Sequence, residues 1–455
     1  MKPWHTTLLL AVVFVGLGSY LYLIELPTIE EEIIQEQEDQ QILPFDDRDV
    51  VHLTVTSHTE TVELQRNSRN RWYIIHPIQG PADNQIVHRL LRAITIGKIK
   101  RILQPESSTL EEFQLAPPHL TMKLKTHEHE ETLMLGSVDP ISSGIYTKRG
   151  EEEGILLTTL AVADFRKTSL DTFRQKNIFQ FDRLRVTQFR LEHLGTDFLL
   201  TQVPSAHGLS GDWAFERPIK GPADTTAINV LLMALADLQA TGFIDPGPRH
   251  TQLLAQLTNP TATATISIGQ AHRSIQLFLP DANAMEAYAI RSPKDPIYQI
   301  DPAFFKNLPM EDFQLLNKRL FGMEVQDVAL LAVKHGQIFY TLIHQHEDWV
   351  LGEAPDRILN PQTINLFVSR VVDLPAEFRV KESNPDMESF GLNDPQIEIT
   401  GMDKKGRTRG RLKLGTSEKG LVYAMGNGVS GVVQARSNFL SQIPTQEELL
   451  EGSGN

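Results

Sequence analysis

Three sets of residues in this 455-residue chain have types and spacings that chemistry could use. Gly426-Asn-Gly-Val-Ser-Gly431 spells G-x-G-x-x-G, a phosphate-cradling pattern that requires a strand before it and a helix after it. Here Leu421-Val-Tyr-Ala precedes and Val432-Val-Gln-Ala follows, so both flanks read as strand. Asn427-Gly428 is the pair that a type I′ hairpin turn prefers, because both central residues take positive φ. The segment predicts a turn, and no nucleotide cofactor. His127 and His129 stand two apart, as do His344 and His346, which on a strand would aim two imidazoles at one metal. A structural zinc takes four ligands and no third or fourth candidate lies near either pair, so no metal site is expected. The third set is Asp83 and Asp224, each closing a Gly-Pro-Ala-Asp phrase and suited by type to general acid or base work. The equivalent place further on is Asn360, which can cap a helix but cannot act as a carboxylate base. All three are therefore expected to be helix N-caps, and no catalytic residue is assigned.

What makes these places equivalent is a repeat. His76-Pro-Ile-Gln-Gly-Pro-Ala-Asp83 after Trp72 recurs as Arg217-Pro-Ile-Lys-Gly-Pro-Ala-Asp224 after Trp213, and a more diverged copy follows Trp349. Each cap lies eleven residues after its Trp. Behind the caps come Val87, Leu90, Leu91, Ile94, then Ile228, Leu231, Leu232, Leu235, then Ile364, Phe367, Val368, Val371. That is one apolar stripe at i, i+3, i+4, i+7, the mark of an amphipathic helix. Leu115, Leu257 and Leu392 follow, each with Pro three positions on, and then alternating segments such as Thr121-Met-Lys-Leu-Lys that read as antiparallel hairpins. The corresponding hairpin tips in the second and third copies, Gly269-Gln-Ala-His-Arg and Asp403-Lys-Lys-Gly-Arg, are ordinary polar turns, which argues that His127 and His129 sit on one too. The expected fold is α+β: three tandem repeats, each of antiparallel hairpins and a meander plus one long helix. The repeats are placed at residues 48–180, 181–322 and 323–446, with a tail at 447–455. The Trp residues are core positions by default; the edges of Trp72, Trp213 and Trp349 are the candidate contacts for a ligand or partner.

Residues 6–24 carry no charge, with Lys2 before them and Glu25 and an acidic run after. At about 1.5 Å per residue they reach roughly 28 Å, close to the thickness of a bilayer's hydrocarbon core. Basic before and acidic after places the N-terminus in the cytoplasm. No small-x-small cleavage site follows the apolar run, so residues 1–25 are expected to be an N-terminal transmembrane helix and 26–47 an acidic stalk. The chain has no Cys, which excludes disulfides, thiolate metal sites and cysteine nucleophiles. A net charge of -14 with no basic cluster excludes nucleic acid as a partner.

The spacing Trp, Pro-Ala-Asp, helix, Phe390-Gly-Leu-x-x-Pro395, the Leu-Gly pairs Leu135-Gly136 and Leu414-Gly415, and Tyr146, Tyr288 and Tyr423 in the following strand resembles the domain-of-unknown-function 4340 family. The second repeat departs from it with Leu277-Phe278 and the third lacks Pro-Ala-Asp. The resemblance implies a membrane-anchored accessory protein associated with ABC-transporter components of the gliding-motility type, and it implies no catalytic residues. The reading reached from the sequence is a non-enzymatic scaffold without cofactors, single-pass in the bacterial inner membrane with its bulk in the periplasm. Its expected partners are that membrane and transport or envelope subunits. The alternative is a periplasmic glycan- or peptide-binding module using grooves near the repeat Trp residues.

Overall fold

A computed structural model of the chain describes Phe14 and residues 40–104, 110–141, 144–204, 211–281, 283–346, 348–380 and 386–450. The chain divides into two compact units, Met1–Ile178 with Gln239–Phe243, and Phe179–Leu238 with Ile244–Asn455. Three antiparallel sheets of nine, nine and eight strands carry the architecture. In the first, the order is Gly80–Pro81, Trp72–His76, Thr61–Arg66, His52–Ser57, Leu120–Lys125, Glu130–Val138, Ile145–Arg149, Ile155–Thr158, Ile99–Leu103. The other two follow the same sequence of pairings, except that the third has no counterpart of Gly80–Pro81, in keeping with its missing Gly-Pro-Ala-Asp phrase.

This corrects the expected α+β class: the described chain is mostly antiparallel sheet. Each repeat does hold one longer helix, α1 (Asn84–Thr95), α2 (Thr225–Ala236) and α3 (Pro361–Asp373), but it is a minority element beside eight or nine strands. The expectation undercounted strands because several are too short to show a period of two. Gly80–Pro81 and Phe378–Arg379 have two residues each, and Ala287–Ile290 is buried on both faces and so does not alternate. Of the transmembrane helix expected over residues 1–25, all but Phe14 lies outside the described residues. Among the described residues no helix is long and apolar enough to cross a membrane.

The helices form for the reasons the stripe implies. Val87, Leu90, Leu91 and Ile94 are all fully buried, as are Ile228, Leu232 and Leu235 in α2 and Ile364 and Val371 in α3. Burying such side chains contributes about 1.5–3 kcal/mol each. The strands of the first sheet bury Leu53, Val55, Val62, Leu64, Met122 and Leu124 against α1 in one core.

A further repeated phrase opens each unit of structure. Gln41-Ile42-Leu43, Asn177-Ile178-Phe179 and Arg319-Leu320-Phe321 each lie nine residues, counted from their first member, before a buried valine, Val50, Val186 or Val328. Their apolar members are exposed by 3 % or less. In every case the residue before the phrase accepts a backbone hydrogen bond from the stretch that follows the repeat's helix. The three bonds are Ile99 N to Gln40 O, Ala240 N to Lys176 O and Ala376 N to Lys318 O, each 2.8 Å. Residues 40–47 of the expected stalk are thus folded onto the first repeat. At the other end, Leu449 of the expected tail is fully buried.

Candidate functional site

The recurring motif residues occupy three kinds of place, and each can be described from its contacts. The first is the helix start. The Asp83 carboxylate accepts from the N–H groups of Gln85 and Ile86, that of Asp224 from Ala227, and the Asn360 side-chain oxygen from Gln362 and Thr363. These are N-cap bonds, satisfying donors that the first helical turn leaves unpaired. Each cap's own N–H donates in turn to the segment that closes its repeat: Asp83 to Phe173 O at 2.7 Å, Asp224 to Leu315 O at 2.8 Å and Asn360 to Leu449 O at 2.8 Å. The phrase therefore joins helix, sheet and closing segment at one point, and its carboxylates are spent on backbone.

The second place is a lock between a turn and a strand. Phe113 O accepts from Ser137 N at 2.8 Å, and Phe390 O accepts from Thr416 N at 2.8 Å. For those bonds the carbonyl must lie against the strand where the Leu-Gly glycine sits. A Cβ on Gly136 would stand 2.1 Å from Phe113 O, and one on Gly415 2.0 Å from Phe390 O, so only glycine fits. The turn residue after each Phe takes positive φ, 56° at Gln114 and 65° at Gly391. The Phe ring then packs on the Tyr of the next strand, with centroids 4.4 Å apart for Phe113 and Tyr146 and 4.3 Å for Phe390 and Tyr423. In the second repeat Phe278 stands in the glycine's place and packs from the strand itself with Tyr288, Ile244, Ile290 and Ile297. An aromatic from the strand thus takes the volume that an aromatic from the turn fills elsewhere. Burial, with a hydrogen bond to Glu286, pushes the Tyr288 hydroxyl up to about 12.

The third place is the join between the second and third repeats, inside the second unit. Phe321 lies over the paired residues Gly401 and Gly410, where a Cβ would come within 2.6 and 2.5 Å of its ring. The turn that spells G-x-G-x-x-G meets the same segment. Gly428 N donates to Leu320 O at 2.9 Å, and a Cβ on Gly426 or Gly428 would stand 2.1 Å from Leu320 O or 2.0 Å from Arg319 O. Those two glycines admit a neighbouring backbone, where a dinucleotide site would admit pyrophosphate. Strands Leu421–Gly426 and Val433–Arg436 flank the turn, as expected, but it is not the type I′ turn that Asn427-Gly428 suggested: neither of those residues takes positive φ, and Gly431 does, at 87°.

Beside this join is a cavity of about 490 Å³ whose lining includes Asn317, Arg319, Glu324, Asp403, Arg407 and Arg409. Apart from Asp327, which also lines it, its charges neutralise one another. Arg319 contacts Glu324 at 2.9 Å and Asp373 at 3.2 Å, while Asp403 takes Arg407 at 2.8 Å and Arg409 at 3.5 Å. The Arg407 hydrogen bond, helped by the N–H groups of Lys405 and Arg407, pushes the Asp403 carboxyl down to about 2. A carboxylate held in that way is a poor proton acceptor near neutral pH.

The remaining candidates do not converge. Trp72 is completely buried and Trp213 is exposed by only 2 %, so neither ring offers an edge to a ligand; the Arg66 guanidinium lies over the Trp72 ring at 5.0 Å. Trp349 is half-buried and packs on His344 with centroids 4.8 Å apart. His129 sits on a turn, its carbonyl accepting from Thr126 N at 2.8 Å, and its ring stacks on Phe45 at 6.5 Å. Among the described residues no three His, Asp or Glu side chains gather in a geometry that could hold a metal. The residues that counting from the Trp did not reach are those of the join. Counting back from Val50, Val186 and Val328 would have found them.

These features define a class: antiparallel sheet repeats, each with a capped helix, the first and third carrying a glycine lock as well. The family profile described as domain of unknown function (DUF4340) matches residues 72–256 and 213–378, and the chain belongs to that family. No protein of curated function matches it. Among solved structures the chain aligns with DNA polymerase III subunit beta from Borrelia burgdorferi, determined in complex with a natural product. Identity is 8 %, coverage 89 % of this chain and 95 % of that one, and the TM-score 0.12. It also aligns with the DNA polymerase sliding clamp from Pseudomonas aeruginosa at 8 % identity, 86 % and 91 % coverage and a TM-score of 0.14. Scores this low carry no argument about fold or function.

Proposed function

We propose that this protein is a non-catalytic, membrane-anchored scaffold on the extracytoplasmic side of a bacterial inner membrane, serving as an auxiliary component of an ABC-type transport or envelope system. The observation that carries the reading is how the motif residues are used. Caps, glycine locks and join phrases all serve the packing of the repeats, and Arg319, Glu324, Asp403, Arg407 and Arg409 around the cavity are held in ion pairs. Repeated units joined in this way offer extended surface for protein partners. The uncharged run at residues 6–24, with Lys2 before it and acidic residues after it, supports the anchor and its orientation.

The test is affinity purification of the full chain from detergent-solubilised membranes. ATPase and permease subunits of one transporter should copurify in fixed ratio, and a reporter fused after Asn455 should be active only outside the cytoplasm. A chain that purifies alone from the soluble fraction, or a reporter active only in the cytoplasm, would refute the proposal.

A further inference from the structure

The hairpins that open the three repeats end in the same two-residue turn, and only the first repeat puts an imidazole there. The turns are His58-Thr59, Leu194-Gly195 and Gly336-Gln337. A second position behaves in the same way. The residue after the shared proline, which leads into the neighbouring strand, is His119 in the first repeat and Thr261 or Gln396 in the others. The fold therefore asks for histidine at neither place.

Three elements bring these residues together at one end of the first sheet. Ser57 pairs with Leu120, which sets His58 beside His119 with their ring centroids 5.9 Å apart. The segment that closes the repeat meets the same hairpin tip, since Leu170 N donates to the Glu60 carboxylate at 3.0 Å. Shortly before Leu170 stands Arg166, whose charge is close enough to act on the His119 ring. Its Nε is buried without a hydrogen-bond partner, as is the Thr168 hydroxyl on the same turn.

The cluster is positive and uncompensated. Burial holds the His119 imidazole below the usual histidine range, and Arg166 and His58 push it the same way. A carboxylate close by would push it up, and none does so. Among the charged groups on these elements, Glu111, Glu112, Asp164 and Lys167 are exposed, and Glu60 is held by Leu170. The Gln114 side-chain oxygen accepts from His119 Nε2, so Nδ1 is the nitrogen left to gain a proton. A guanidinium beside two imidazoles repels a cation and attracts an oxyanion. Its planar fork matches the oxygens of a phosphate.

We propose that His58, His119 and Arg166 bind a phosphate group at this end of the first repeat, supplied by a soluble phosphate or by a lipid headgroup. Three donors on three separate elements suit a tetrahedral anion better than a flat carboxylate. Binding takes up a proton at His119 Nδ1 and tightens as pH falls. The site is independent of the scaffold and transporter reading.

The test is calorimetric titration of the detergent-solubilised full chain with inorganic phosphate, sulfate and acetate. Sulfate does not titrate where histidine does, so from about pH 8 to about pH 6 its affinity should rise at least about tenfold as the imidazoles gain protons. Arg166→Gln should weaken phosphate binding at least about tenfold, through loss of a charge-assisted hydrogen bond. His58→Leu with His119→Thr installs the residues that the second repeat carries at these places. That double variant should lose the pH dependence and most of the affinity, with amide exchange in His52–Ser57 and Leu120–Lys125 unchanged, which separates a lost site from a lost fold. Phosphatidylglycerol doped into the micelles should displace phosphate if the ligand is a headgroup and leave it bound if the ligand is soluble. No saturable heat with phosphate or sulfate, acetate bound as tightly as phosphate, an affinity flat across that pH range, or a double variant that binds like the native chain would each overturn the proposal.

Discussion

Replacing Gly415 by alanine tests whether the Leu-Gly pair is a packing lock. The alanine Cβ would be placed 2.0 Å from Phe390 O, far inside van der Waals contact, so the turn carrying Phe390 or the strand Thr408–Glu418 must move. If the turn retreats, it gives up the 2.8 Å bond from Thr416 N and loosens the stacking of Phe390 on Tyr423 at 4.3 Å. Forcing atoms into a filled site costs about 1–3 kcal/mol, and a lost backbone hydrogen bond about 0.5–1.5 kcal/mol. The expected destabilisation is therefore about 2–4 kcal/mol. Since the chain has two compact units, a single global midpoint would blur the effect. The appropriate readout is hydrogen exchange resolved by peptide, together with guanidinium unfolding. Protection should fall in Ile397–Met402 and Thr408–Glu418 and stay unchanged in strands of the first unit such as His52–Ser57. The matching Gly136→Ala should reverse that pattern. Unchanged exchange and an unchanged midpoint for Gly415→Ala would refute the lock and reopen the Leu-Gly pair as a functional element.

Three further outcomes follow from the same contacts. Asp224→Ala should cost about 1 kcal/mol by chemical denaturation while Asp224→Asn costs a few tenths at most, because capping needs an oxygen and not a charge; an Asn variant as damaged as the Ala one would point to a role for the carboxylate. Leu43→Ala should destabilise the first unit by about 2–5 kcal/mol, since Leu43 is exposed by only 1 %, whereas a residue of a solvated stalk would tolerate the change. Asp403 has its folded pKa lowered to about 2, so its contribution is complete above the ordinary carboxylate range near pH 4 and is lost as pH falls through the folded value. Asp403→Asn should then lie below the native chain in stability at pH 5 and converge on it near pH 2, and parallel stability curves across that range would disprove the Arg407 contact.

The helices were legible because their signals are local. An Asp or Asn cap followed by four apolar residues on one face is written within a dozen positions, and the stripe residues became core. The hairpins were legible wherever one face stays polar, as along Leu120–Lys125, whose burial alternates. What did not show was long-range. The bond from Asp83 N reaches Phe173 O, and nothing near either residue announces it. The Phe113 and Phe390 locks depend on positive φ at Gln114 and Gly391, and a Gln in that region gives no turn signal. The residues near the cavity at Asn317 and Asp403 are far apart in sequence and meet only because Phe321 slots over Gly401 and Gly410. The Trp residues misled in a different way, since an amphipathic ring reads as a possible contact until its burial is known.

If the recurring residues serve packing, what distinguishes one repeat's role from another's must lie where equivalent positions differ. The outer faces of the helices are one such place. Two outward positions in α1 are Arg89 and Arg92; their counterparts are Val230 and Met233 in α2, exposed by 55 % and 42 %, and Leu366 and Ser369 in α3. Exposed isolated apolar residues are ordinary on protein surfaces, but α2 contains no charged residue along its whole length, and its outer side borders a groove of about 500 Å³ lined by Ala227, Val230, Met233, Leu308 and Pro309. Packing inside the repeat does not require this, because α1 buries the same stripe with two arginines outside. The motif positions hold the three repeats alike, and the non-motif surfaces, the α2 face and the sheet end at His58 and His119 among them, are where the three have become different.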